Sequence, residues 1–293
     1  MALTNVSTVA GGVGKTVGDA VIAFNHTNVM FPIVTVRQAA KGSNSVQFGD
    51  WTKLTSGNVT AATEATTTTA VAITSTSRTA TISEHVIAAT IGDLASMGSN
   101  DDLQGTGGEA LGNAVAAKLD DDLVELGKSF SQTEAGAGTA LALSHVFGSM
   151  RQLRAASAPF PYSLVLSPKS VWGSKGIISL LHDDAVTGSN AKPMSLMGNK
   201  GDEAMAAGWV GSIAGFNVYW SDQIDENVGS GGDAANFAMS KGAIGLGVGA
   251  EGLFRIASER DEMLRATNLV CTGFWGEVEI KDGFGIYVLT DVS

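Results

Sequence analysis

Residues 109–130 read EALGNAVAAKLDDDLVELGKSF, and the spacing of their apolar side chains is the strongest structural signal in the chain. Leu111, Val115, Leu119, Leu123, Leu126 and Phe130 recur at steps of four, four, four, three and four. That period puts them on one continuous stripe of an α-helix. Lys118, Asp120, Asp121, Asp122 and Lys128 fall mostly off the stripe, so the acidic run 120–122 is expected on a solvated face. At about 1.5 Å per residue the helix is roughly 33 Å long, enough to form the backbone of a flat domain.

Downstream, the Gly- and Ala-rich stretch Glu134 to Gly138 reads as a hinge or domain boundary. The periods then alternate as in a mixed α/β domain. A helix carrying Leu143, Phe147, Met150 and Leu153 ends before Pro159, and a buried strand follows over Tyr162–Leu166. A second helix runs through Trp172, Ile177, Leu180 and Leu181, and the long loop 186–208 is expected at an interface. Strands are expected around Gly211–Trp220, Asn236–Met239, Leu253–Ile256, Met263–Thr272, Gly276–Ile280 and Phe284–Leu289.

Upstream, residues 52–81 hold 12 Thr and only three charged residues, Lys53, Glu64 and Arg78. Thr is β-branched and suits strands. With Val46 and Phe48 alternating on one side and Val71 and Ile73 on the other, the block reads as a long hairpin with a loose tip near Ser56-Gly57-Asn58. It has too few large apolar residues for a core of its own and needs a partner surface. Residues 1–36 read as an extended arm.

Composition bounds the function classes. The 293 residues suffice for one large or two ordinary domains. With 18 Lys and Arg against 29 Asp and Glu, the net charge is −11, which disfavours an electrostatically driven nucleic-acid binder. Only 16% of residues are charged, and 37 are Gly. So much uncharged surface fits a protein covered by copies of itself, and equally a Gly- and Thr-rich β-protein from outside the cell. The single cysteine, Cys271, excludes an internal disulfide framework and fits a reducing compartment. No membrane span or signal peptide is apparent, and Met1 reads as a true start of a soluble chain.

Chemistry-bearing motifs are sparse. Gly11-Gly12-Val13-Gly14-Lys15-Thr16 has the Gly, Lys and Thr of a phosphate-binding loop. The usual distant Gly is replaced by Val9, and the signature Lys of partition-type ATPases by Ala10. His26, His85, His145 and His182 show no metal-ligand spacing. Asp101-Asp102 and Asp183-Asp184 read as solvated pairs, and Cys271 as a small buried residue. Trp51, Trp172, Trp209, Trp220 and Trp275 are scattered like core or contact anchors. No catalytic residue, cofactor or metal ligand is assigned, and the chain is not expected to be an enzyme.

The order of parts carries a resemblance. Thr81-Ile82-Ser83-Glu84-His85 leads into Thr90-Ile91-Gly92-Asp93-Leu94 and then the helix 109–130. Further on come Tyr162-Ser163-Leu164-Val165-Leu166-Ser167-Pro168 and Gly211-Ser212-Ile213-Ala214-Gly215-Phe216-Asn217-Val218-Tyr219-Trp220-Ser221-Asp222, a Gly-x-Ile-x-Gly-x-x-Val-x-x-Ser pattern. In this order they resemble the major capsid proteins of tailed bacteriophages, over nearly the whole chain. The resemblance implies an α+β, HK97-like capsid fold. Residues 1–36 would be the N-terminal arm, 37–86 the extended β-hairpin loop, and 87–136 the peripheral domain with its spine helix. Residues 137–258 would be the axial domain, 259–283 further peripheral strands, and 284–293 a C-terminal strand near the axial domain.

It also implies self-assembly into pentamers and hexamers of an icosahedral head enclosing double-stranded DNA. Scaffolding, portal and decoration proteins are the implied further partners, with no membrane. The implied location is the virion, after assembly in the host bacterial cytoplasm. The hairpin follows Met1 so closely that no large cleaved scaffolding region is expected. Some members cross-link subunits through Lys and Asn; Lys53 lies in the corresponding loop, but nothing supplies the acid catalyst, so no cross-link is expected. The alternatives are a partition-type ATPase using Gly11–Thr16 and an exported adhesin.

Overall fold

A computed structural model describes residues 3–4, 28–54, 56–59, 61–62, 64, 67, 70–99, 103–173, 175–177, 209–228 and 231–293. In chain order they form β1 (Leu3–Thr4), β2 (Thr35–Gln38), β3 (Ser45–Trp51), β4 (Ser75–Thr81), β5 (Ser83–Gly92), α1 (Asp93–Gly98), α2 (Leu103–Lys128) and β6 (Thr133–Ala140). Then follow α3 (Leu143–Ala155), β7 (Tyr162–Leu166), α4 (Pro168–Trp172), β8 (Trp209–Ile213), β9 (Phe216–Trp220) and β10 (Asp233–Ser240). The chain closes with β11 (Ile244–Val248), β12 (Phe254–Asp261), β13 (Ala266–Glu279) and β14 (Gly285–Asp291).

Two six-stranded sheets and a separate hairpin result. The first sheet runs β1-β5-β13-β11-β2, with β12 also on β13; the second runs β6-β14-β10-β7-β9-β8; β3 pairs only β4. The long helix α2 lies between the sheets. Its stripe residues Leu111, Val115, Leu119 and Leu123 join one core with Leu269, Cys271 and Trp275 of the first sheet and with Val165, Phe237 and Met239 of the second. The opposite face of the second sheet is covered by α3 and α4. There Tyr162, Leu164 and Leu166 pack with Val146, Leu153 and Val171. Strands β7 and β10 are therefore buried on both faces, which explains their mostly apolar and small residues.

The long helix starts earlier than its stripe predicted, at Leu103 rather than Glu109. Its Gly-rich first turns gave no helical signal, yet they permit a close approach. A Cβ on Gly107 would stand 3.0 Å from Leu269 Cδ1. The predicted hinge Glu134–Gly138 is instead part of strand β6, pairing in parallel with β14. Small residues there reflect an edge strand overlaid by α3, where Gln152 donates to Glu134 and to the Thr133 carbonyl, not a break in the chain. The two strands expected around Met263–Thr272 and Gly276–Ile280 are one strand of 14 residues, and Met263 lies in the turn before it.

Strand β11, Ile-Gly-Leu-Gly-Val, gave no strand signal because Gly disfavours strands. Its glycines are where the hairpin docks. A Cβ on Gly245 would stand 2.9 Å from the Phe48 ring, and one on Gly247 3.1 Å from Val46. The helix read through Trp172, Ile177, Leu180 and Leu181 starts at Pro168, where the Ser167 cap accepts the Ser170 amide at 3.1 Å, and is interrupted after Trp172, with Ile177 helical again. Leu180 and Leu181 lie outside the described residues, as do most of the arm, Gly11–Thr16, His26, His182, Asp101-Asp102, Asp183-Asp184 and the loop 186–208.

Candidate assembly surface

The hairpin divides into a buried root and an uncovered outer part. At the root, Val46, Phe48 and Ala80 are buried with Ala39, against Val278 of β13 and the flanking Ile82 and Ile280. The Ile82 amide donates to the Asn44 carbonyl at 2.8 Å, and Lys281 Nζ pairs with Asp50 Oδ1 at 2.9 Å. These contacts fix the direction in which the hairpin leaves the body. Beyond them the described residues are exposed, including Trp51, Leu54, Val59, Val71 and Ile73. Trp51 is 65% exposed, Val59 81% and Ile73 60%, so the predicted tip carries apolar surface with nothing of its own chain upon it. A two-stranded ribbon also leaves both backbone edges unpaired. Burial against a partner would return about 1.5–3 kcal/mol for each large side chain covered.

The arm's root is held differently. The Asp120 carboxylate accepts from the Val29 amide at 2.8 Å and the Met30 amide at 3.0 Å, and the residue is 2% exposed. Asn28 reinforces the clamp by accepting from the Phe31 amide at 2.7 Å. This corrects the expectation that the whole run 120–122 is solvated. Successive helical residues point about 100° apart, so Asp120 turns under the arm. Asp121 pairs with Lys118 at 3.0 Å, and Asp122 accepts from the Trp275 indole at 3.0 Å.

Burial pushes the Asp120 carboxyl up to about 7, opposed by the two amides and reinforced by the Asp222 charge. A carboxyl raised in the fold gives stability that is full below its unfolded value and lost as pH rises through the folded one. Thermal melting of Asp120→Asn against the native chain from pH 4 to 8 tests this. The native chain is expected to lose roughly 2–4 °C or more relative to the variant across that range. Parallel profiles would show that Asp120 does not titrate there.

The other residues singled out do not converge. His85 stacks on Trp275 at 4.0 Å, and its Nε2 lies 2.9 Å from the Ser83 hydroxyl. His145 sits apart in the first turn of α3, its Nδ1 accepting from the Ala142 amide at 3.2 Å. Cys271 is buried and its thiol is pushed up by burial, the opposite of an activated nucleophile. Trp275 is a core anchor, whereas Trp51 and Trp172 are exposed. Among the described residues no group of three or more His, Cys, Asp or Glu is placed to hold a metal ion, and no helix is long and apolar enough to cross a membrane.

A second uncovered surface was not legible in the sequence. Leu94 and Met97 of α1 and Met263 and Leu264 of the β12–β13 turn are all exposed, Met263 to 95%. Arg260 grips Asp93 through two bonds of 2.5 and 2.7 Å, and the Asp93 amide donates to the Arg265 carbonyl at 3.0 Å, so helix and turn form one knob. The Arg260 guanidinium holds the Asp93 carboxyl below its ordinary range. No periodicity marks this knob, because its two halves are about 170 residues apart in sequence.

The chain matches no sequence-family pattern and no curated protein. Its architecture matches solved structures over almost its whole length. The capsid structure of the cyanophage P-SCSP1u superposes with a TM-score of 0.65 at 15% identity, covering 99% of this chain and 93% of that one. The capsid of a native GTA particle gives 0.59 at 10% identity, with 99% and 95% covered. The capsid asymmetric unit of cyanophage Pam1 gives 0.65 at 12% identity, with 92% and 93% covered. The chain therefore has the α+β fold of phage capsid structures, as the resemblance in its sequence implied.

Proposed function

We propose that this chain is the major capsid subunit of a tailed bacteriophage, a structural protein and not an enzyme. In this reading it self-assembles into pentamers and hexamers of an icosahedral head around double-stranded DNA, without reading DNA sequence. The observation that carries it is the rooted hairpin with an apolar, uncovered outer half on a fold shared with capsid structures. Such a device gains its free energy only when laid across another copy. Head-to-tail contacts of this kind close into rings when the rotation between copies permits.

The peripheral part corresponds to the first sheet with α2, and the axial part to the second sheet. Scaffolding, portal and decoration proteins are the further partners in this reading, the virion is the location, and the host cytoplasm is the place of assembly. The net charge of −11 suits a container that must release its DNA.

Negative-stain microscopy and sedimentation of the purified chain test the proposal. Rings, shells or tubes are expected. A chain that remains strictly monomeric under conditions that promote assembly refutes it.

A further inference from the structure

An exposed basic–aromatic stripe and a pocket lined by two carboxylates lie on separate parts of the fold, and each lacks a described counterpart. The stripe is on α3. Phe147, Arg151 and Arg154 follow at steps of four and three, which puts them on one face of the helix. All three are exposed, and Phe147 keeps 58% of its surface in solvent. The Arg154 guanidinium lies 4.1 Å over the ring of Phe160, itself 52% exposed, so the stripe continues onto the segment before β7. Neither arginine meets a carboxylate among the described residues, although the chain holds 29 acidic groups. Two unmatched cations beside the exposed Phe147 ring are what a desolvated contact with an acidic, partly apolar surface requires.

The pocket is at the hairpin's root, with a volume of about 290 Å³. Its lining includes the apolar Phe274 and Ile82, the polar Asn44, and the carboxylates Glu84 and Glu251, both exposed. Glu84 is directly across from Phe274 in the β5–β13 register. Both glutamates are exposed, and neither meets a cation among the described residues.

Resting on the assembly reading above, we infer that the α3 stripe of one copy seats in the hairpin-root pocket of a second copy. The Phe147 ring faces Phe274 and Ile82, and Arg151 and Arg154 face Glu84 and Glu251. The charges match in number and sign, and apolar surface meets apolar surface. Because the two halves are different patches, the contact is heterologous and repeats around a ring.

Charge reversal with rescue tests it in the full-length chain. Arg151→Glu with Arg154→Glu puts four acids at the contact, and Glu84→Arg with Glu251→Arg puts four cations there. Each pair is expected to lower the yield of assembled particles by roughly tenfold or more at low salt, with circular dichroism unchanged. All four substitutions together restore opposite charges in every contact and are expected to recover most of the native yield. Either pair assembling like the native chain, or the fourfold variant failing to recover, overturns the contact. DNA binding that Arg151→Glu with Arg154→Glu abolishes while assembly is unchanged places nucleic acid on α3 and overturns it as well. A native chain that does not assemble at all refutes the capsid reading itself, whereas native assembly with insensitive variants refutes only this contact.

Discussion

Replacing residues 52–74 with a two-residue Asn-Gly turn is expected to abolish shell formation while leaving a folded monomer. Trp51 and Ser75 are paired in the β3–β4 register, so a tight turn can join them without changing the ladder above. The described part of the removed segment is exposed, and the root residues Val46, Phe48 and Ala80 that hold the hairpin on β11 remain. Melting should therefore move by only a few degrees, because little buried area is lost. Assembly should fail altogether, because the shortened hairpin no longer offers Leu54, Val59, Val71 and Ile73 to a neighbour. Particle yield in microscopy and sedimentation, with melting as the control, reads both halves of the expectation. Particles of native yield would remove the hairpin tip from the assembly mechanism.

Phe237→Ala is expected to cost about 3–5 kcal/mol of subunit stability, the usual range for emptying a fully buried Phe site. Phe237 is 0% exposed on β10, on the face of the second sheet turned to α2. Its ring lies 6.5 Å from that of Phe130, edge to face, and a Cβ on Gly127 would stand 2.7 Å from it. The helix has thus given up a side chain to let the ring in. The cavity would open where α2 joins the two sheets, so the loss should appear as one cooperative shift in denaturant midpoint. A change below about 1 kcal/mol would mean that the site collapses around alanine and that the sheets are not coupled through it.

The parts of the fold with a local period were legible without coordinates. The stripe from Leu111 to Leu126, the helix bearing Leu143 and Leu153, the run Tyr162–Leu166 and the first hairpin strand bearing Val46 and Phe48 coincide with observed elements, whereas the second hairpin strand begins at Ser75, after Val71 and Ile73. Each period of 3.6 or 2 reports which side of its own element is covered. The α+β class followed from their order, and so did the likeness to capsid proteins that the solved structures bear out. The hairpin's need for a partner was readable too, because a Thr-rich ribbon with few large apolar residues cannot cover itself.

Other features depended on what a residue meets across the fold. Gly245 and Gly247 looked like breakers, yet they make a strand because Phe48 and Val46 occupy the space that side chains would fill. Glu134–Gly138 looked like a hinge, yet it pairs because β14 runs beside it. Asp120 looked solvated with its neighbours, yet it is buried because the arm's backbone brings two amides to it from about 90 residues away. The stripe on α3 and the pocket carboxylates Glu84 and Glu251 were ordinary surface charges until the fold placed apolar rings beside them. By itself the sequence determined the elements and their covered faces, since those depend on neighbours within a turn or a strand. The tertiary structure alone decided which backbone groups pair across the chain and which charges stand without a partner, since those depend on contacts between distant residues that no local pattern records.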